Sequence, residues 1–495
     1  MTVTAKELAA KPQKEVQMTD VSRRAFVKCA IATGAFPLLP GCFSPGAYAA
    51  NRKINVAVIG CGRISNTFEI PGVLKRRDIA RLVAVCDLDS KRAAFSKDKI
   101  EKAYNDGTAI RVYHDYKELC AAPDIDAVMI CLPDFWHALV ATTAICSGKA
   151  VWLQKPFTQT IQEGRILANL AKKYGTVLQV GSQQRSWGQF EAVCRAVREG
   201  VIGEVKRVEV GIGLDVAGGS AAAQPVPPNF DYETWLGPTD PSVPYNETRC
   251  HAQDTKRIES RPGWIQLAPY GWGMITNWGA HHIDIMQWGL GKDFEGPESV
   301  EGTCGWMDLS GGRLWNVHTT YDLHYGYNGG KTDGHVCDKY QNGVKFVGEK
   351  GDWLFCTRGK VKVTASDPEP KVRPGELPPL AASRDALLPK LRMPSSGITD
   401  AHVSNWLDAI AARNPALTVT KAEVGHRSTS ACSLGQMCME LGRGKKSAKV
   451  EWNWKTESTG CPETDKMMKP FARDKYDLRV NLKEFGLDFD KVLRG

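Results

Sequence analysis

Ile54-Asn55-Val56-Ala57-Val58-Ile59-Gly60-Cys61-Gly62-Arg63-Ile64-Ser65 is the stretch from which the rest of the chain is read. Its first six residues are almost unbroken in their apolar character, the pattern of a strand buried on both faces. The next six form a turn. Gly60 serves the tight bend and Gly62 lets backbone approach a pyrophosphate. Arg63 and Ile64 then open a helix whose first amides face the phosphates. Ser65 is small enough to keep helix and strand close, and Pro71 shortens the helix. A second apolar run, 82–86, ends in Asp87, where a carboxylate accepts hydrogen bonds from an adenosine ribose. Together these features predict a dinucleotide site. Asp87 repels a 2′-phosphate, which favours NAD, while Lys91, Arg92 and Arg63 nearby leave NADP open.

The alternation continues outward. Apolar runs at 126–132, 150–153 and 176–180 each end in a polar loop: Pro133-Asp134-Phe135-Trp136-His137, Gln154-Lys155-Pro156, and Gly181-Ser182-Gln183-Gln184-Arg185. Loops at the carboxyl ends of parallel strands are where such sheets bind ligands. The expected architecture is therefore α/β, with a Rossmann domain, a doubly wound parallel sheet, over 50–181. Beyond it the pattern changes. Residues 217–228 are rich in Gly, Ala and Pro, as loops are. Residues 315–327 alternate as strands do, and 344–347 with 353–355 predict a hairpin. Helices are expected at 402–412 and 422–441, and a proline-rich arm at 368–394. A second domain spans 182–450. The charged tail, 451–495, has no pattern that places it.

At the other end, Ser22-Arg23-Arg24-Ala25-Phe26-Val27-Lys28 precedes a short apolar run and closes on Ala47-Tyr48-Ala49. Twin arginines, a modest apolar core and a small-x-small site predict a twin-arginine export signal over 1–49. The expected destination is periplasmic or secreted, and the export machinery is a partner. Leu39-Pro40-Gly41-Cys42 offers a lipid-anchored alternative through Cys42. The net charge of +9 is spread along the chain without aromatic interleaving, which argues against nucleic acid. Of 15 cysteines, two lie in the signal; several others sit in apolar strands, as small buried hydrophobes do.

Gly-x-Gly-Arg-Ile, Pro133-x-x-x-His137, the dipeptide Lys155-Pro156 and Asn277-Trp278-Gly279-Ala280-His281-His282-Ile283-Asp284 together resemble the Gfo/Idh/MocA oxidoreductases over roughly 53–450. The resemblance implies a C-terminal α+β domain with an open, mostly antiparallel sheet, a sugar, glycoside or cyclitol substrate, and a homo-oligomer. It implies cofactor contacts from Gly60, Gly62, Arg63, Ile64, Asp87, Pro133, His137, Gln154 and Lys155. Asp231-Tyr232-Glu233-Thr234-Trp235-Leu236-Gly237-Pro238 is similar to a segment near the cleft in that family. This chain departs twice from the family pattern. Gln154 and Asn277 stand where glutamate and aspartate are usual.

Hydride leaves a C–H only as the adjacent hydroxyl loses its proton, so a base must touch that oxygen and a cation should stabilise the alkoxide. His281 suits the base, Lys155 the cation, and Asn277 orients His281 from one helical turn away. Arg185, Trp235, Arg249, His282 and Asp284 are the expected substrate contacts. No metal is expected, because the Cys-x-x-Cys spacing is absent and adjacent histidines on a helix point apart. An exported enzyme meets no pool of free dinucleotide, so NAD should travel with it and recover its redox state each cycle. Three readings follow: an oxidoreductase acting on a sugar-like hydroxyl, a redox-neutral NAD-dependent glycoside hydrolase, and a non-catalytic sugar binder.

Overall fold

The computed structural model describes residues 52–358 and 398–495. The export signal, Cys42 and the proline-rich arm lie outside the described residues. Six parallel strands, β1 (Ile54–Ile59), β2 (Ala80–Cys86), β3 (Arg111–Tyr113), β4 (Ala127–Ile130), β5 (Ala150–Leu153) and β6 (Leu178–Val180), form one sheet in the order β3-β2-β1-β4-β5-β6. The continuous apolar reading of β1 has a direct cause. Ile54, Val56 and Val58 point into one core, and Ala57 and Ile59 into another on the opposite face. Burial of each large aliphatic side chain contributes ~1.5–3 kcal/mol, and both faces of this strand collect it. At its end Gly60 holds φ +94°, and a side chain there would collide with the Cys131 carbonyl.

Helices His137–Cys146 and Ile161–Tyr174 cover one face of this sheet. The second is closed by a Thr160/Glu163 capping box and by Gly175 in the left-handed region. Two segments from far down the chain complete the packing. Val403, Trp406, Leu407 and Ile410 of helix Ile398–Ala411 fill the opposite face, with Trp406 against Trp152. The tail, which its composition does not place, folds into helices Leu478–Glu484 and Phe489–Arg494. These bury Leu478, Leu482, Phe489 and Val492 beside helices His137–Cys146 and Ile161–Tyr174.

The second sheet holds β7 (Val205–Gly211), β8 (Ser299–Trp306), β9 (His318–Tyr327), β10 (Thr332–Cys337), β11 (Gly343–Gly348), β12 (Trp353–Cys356) and β13 (Ala448–Glu451), in the order β12-β11-β7-β10-β9-β8-β13. Its pairings are antiparallel except β7 with β10. The expected hairpin appears as β11 and β12, and the alternating stretch as β9. One face packs on helices Gly188–Arg198, Gly279–Gly289 and Ala422–Leu441 through Val208, Val210, Leu323, Tyr325, Val336 and Phe346. The other carries polar side chains on β8, β9 and β10. Lys345, Glu209, His335, His324 and Glu301 stand in one row across five strands. No described helix is long and apolar enough to cross a membrane. All thirteen cysteines of the described residues are free thiols.

Candidate active site

A cavity of about 490 Å³ runs along the carboxyl ends of β1, β2, β4 and β5 to the start of helix Gly279–Gly289. Gly60, Gly62, Arg63, Ile64 and Asp87 line one end. Asp87 Oδ2 accepts from the Cys61 amide at 2.6 Å and Oδ1 from the Asp89 amide at 2.8 Å, so this carboxylate latches the glycine turn to β2. Each oxygen keeps a lone pair for a ribose hydroxyl. Burial pushes the Asp87 carboxyl up, opposed by His251 and Arg92. Arg92 is itself buried, and its guanidinium donates to the Ala252 carbonyl at 2.8 Å.

Pro133, Asp134, Gln154 and Lys155 project from the ends of β4 and β5 into the middle of the cavity. His137 does not. It is fully buried behind the wall, its two ring nitrogens facing the Pro156 and Leu132 carbonyls at 2.8 and 3.1 Å, and it joins the two loops instead of touching a ligand. Burial pushes it down to about 4. The amide of Gln154 donates to Glu69, a fully buried carboxyl on the turn after Ser65. Burial pushes Glu69 up to about 8, and nearby Lys155 pulls the other way. An acid thus sits beneath Lys155, reached from the first helix and not from position 154.

At the far end Lys155 Nζ donates to the Asn277 backbone carbonyl at 3.2 Å. Burial lowers Lys155 from its usual range and raises Asp134, which opposes it. His281 and Asn277 line the cavity beside Lys155. The His281 ring lies edge-on to Trp278, and its buried Nδ1 has no partner within the protein. Burial, then Arg358 and Lys155, push it well below the usual imidazole range. It is therefore neutral, with a nitrogen to spare.

Four of the expected substrate contacts are elsewhere. Arg185 and Asp284, with side chains 2% and 0% exposed, are paired to each other at 2.8 Å. Asp293 and Ser428 complete that network, which joins β6 to helix Gly279–Gly289. Both charges are spent on each other, because a lone buried charge costs several kcal/mol. His282 faces away, its Nδ1 at 2.9 Å from the Gly211 carbonyl. Arg249 is buried outside the cavity lining. Trp235 does line it, packed against Phe135, Tyr232 and Tyr270. Arg358, which no motif marks, also lines the cavity; its guanidinium lies over the Trp278 ring and is pushed down to about 10 by burial. Trp187 and Gln184 follow the carboxyl end of β6, where such sheets bind ligands, and Trp264 lines the cavity with them.

Residues 54–182 match the oxidoreductase family with an NAD-binding Rossmann fold, and 215–331 its C-terminal alpha/beta domain. The glycosyl hydrolase family 109 protein of Stenotrophomonas maltophilia is 28% identical over 41% of this chain and 44% of its own length. The uncharacterized oxidoreductase YdgJ of Escherichia coli is 33% identical over 32% of this chain and 42% of its own. The chain thus matches these curated relatives over less than half of their length. The WlbA dehydrogenase of Bordetella pertussis, solved with NADH and UDP-GlcNAcA, superposes with a TM-score of 0.56 at 17% identity, covering 81% of this chain and 98% of that one. The aldose-aldose oxidoreductase of Caulobacter crescentus gives 0.55 at 16%, covering 81% and 100%. These likenesses show a shared fold. With the glycine turn latched by Asp87, the lysine at the end of β5 and a match to the family in each of its two domains, the chain belongs to the Gfo/Idh/MocA family of NAD-binding oxidoreductases.

Proposed function

We propose that the protein oxidises a ring hydroxyl of a sugar, glycoside or cyclitol. The observation that carries this reading is the meeting of Lys155, from the end of β5, with His281, from the second domain, in one cavity that begins at the glycine turn. The residues fit a dinucleotide: bare backbone at Gly60 and Gly62, Arg63 beside them, and free lone pairs on Asp87. NAD bound there supplies the hydride acceptor. Lys155 donates a hydrogen bond to the substrate oxygen and stabilises negative charge as it develops. His281, neutral and unpartnered at Nδ1, takes the hydroxyl proton. Asp134 and Glu69 place two buried carboxyls near Lys155, and Arg358 adds a second cation at the same end. Trp264, Trp278 and Trp235 supply apolar faces for a sugar ring.

Export through the twin-arginine route belongs to the same proposal and rests on the N-terminal sequence. NAD is then loaded before transport and retained. Denaturing the purified protein should release near-stoichiometric dinucleotide, and adding a panel of monosaccharides, cyclitols and glycosides should produce reduced nicotinamide absorbance. Protein that binds sugars with no dinucleotide present and yields no reduced cofactor overturns the oxidoreductase reading. The likeness to a family 109 glycosyl hydrolase favours one alternative, in which the aglycone is eliminated from the oxidised sugar, water adds in its place, and the hydride then returns to the sugar. Aglycone release without net NADH distinguishes it.

A further inference from the structure

We propose that the polar face of the second sheet carries a binding site for a divalent transition-metal ion, with Asp322, His324 and His335 as ligands. The sequence holds Asp-x-His twice, Asp322-Leu323-His324 on β9 and Asp333-Gly334-His335 on β10. Period-two alternation puts all four polar residues on one face. The antiparallel register sets His335 directly opposite His324, so the two imidazoles lie side by side with ring centroids 4.1 Å apart and planes 15° from parallel.

The ring nitrogens are sorted by role. Nε2 of His335 lies 2.5 Å from Asp322 Oδ1, and Nε2 of His324 lies 3.6 Å from the same oxygen. One ligand atom from each residue falls within 4.8 Å of the other two. Bonds of ~2.0–2.2 Å to one ion need ligand atoms ~3–3.5 Å apart, so small side-chain rotations suffice. The remaining nitrogens are held from behind. His324 Nδ1 faces both oxygens of Asp333 at 3.0 and 3.1 Å, and His335 Nδ1 faces the Tyr340 hydroxyl at 2.5 Å. Metal-bound histidines are fixed in this way, through a partner on the nitrogen that does not bind. A surface histidine pair recruited only for charge would have no need of it.

Imidazole ligands select zinc-class ions over magnesium or calcium. With side chains 44% and 47% exposed, His324 and Asp322 leave the outer positions open to water or an incoming group. None of the three lines the cavity, and the opposite face of the same strands packs on helix Gly279–Gly289. The site is therefore separate from the oxidoreductase centre and stands or falls without it.

The test uses the full chain, stripped by chelator and titrated with Zn²⁺ by calorimetry and by metal analysis after gel filtration. The parent should bind one equivalent at this site, and the double variant His324→Gln/His335→Gln should lose it. Asp333→Asn leaves all three ligands in place and should weaken binding by about 10–100-fold, the usual effect of removing a histidine's supporting partner. A parent that retains no Zn²⁺, or an equivalent retained undiminished by the double variant, overturns the proposal. So does full affinity in Asp333→Asn.

Discussion

The two sheets answer different demands, and their sequences differ accordingly. The parallel sheet is covered on both sides, so β1 and β4 are apolar at nearly every position. The second sheet packs on its helices through one side, so β9 runs His318, Thr319, Thr320, Tyr321, Asp322, Leu323, His324, Tyr325, with inward Tyr321, Leu323 and Tyr325 alternating with polar residues. A strand buried twice announces its place but little chemistry, and its chemistry appears only where it stops. A strand buried once can carry chemistry along its length. Lys155 and Asp87 belong to the first kind, the paired Asp-x-His strands to the second.

Removing the residues where the domains meet should have the largest effect. Lys155→Ala and His281→Ala should each lower turnover about 10²–10⁴-fold while NAD still binds. The losses should not add, because both groups act on one oxygen in one step. Steady-state kinetics on a substrate from the panel checks this, and near-full turnover in His281→Ala would falsify the assignment. Next is the unequal cover of the two sheets. Trp406→Ala opens the second face of the parallel sheet and should cost ~3–5 kcal/mol in urea unfolding. Glu301→Ala, on the polar face of the other sheet, should stay within about 0.5 kcal/mol. Equal losses would mean that the polar face is as closely packed as the apolar one.

Asp87→Ala should weaken NAD by ~1.5–3 kcal/mol, the value of a hydrogen bond to a charged group. NADP should lose less, and equal losses would make Asp87 a latch for the glycine turn alone. The smallest effect concerns pH. His281 must be neutral to accept a proton, and burial lowers its pKa, so activity should fall on acidification only below the usual imidazole range. Asn277→Asp adds a negative charge nearby, favours the imidazolium and moves that acid limb upward. A limb that stays put in kcat/KM profiles removes His281 from the proton path.

What was legible in the chain follows the same division. The glycine turn, Asp87 and Lys155 can be read because each sits at a fixed offset from an apolar run. Arg185 and Asp284 read as substrate contacts because a sequence shows two charges but not that they neutralise each other across the interior. His137 reads as a cofactor contact for a related reason: its motif marks the loop without saying which way the ring turns. The helix Leu478–Glu484 was invisible because only Leu478, Asn481 and Leu482 are buried, too few to rise above its charged face. Glu69 lies one turn beyond the glycine motif, and only the fold brings it under Gln154.

The wrapping of the parallel sheet by late segments sets an order of events during synthesis. Ile54 is among the first residues of the described chain to leave the ribosome, whereas Trp406 and Val492 are made hundreds of codons later. Until they emerge, the sheet face that Trp406 covers and the outer sides of helices His137–Cys146 and Ile161–Tyr174 lack these partners. The nucleotide-binding half is therefore completed late, and a change in the codons for Trp406 or Val492 acts on a half of the protein encoded well before them.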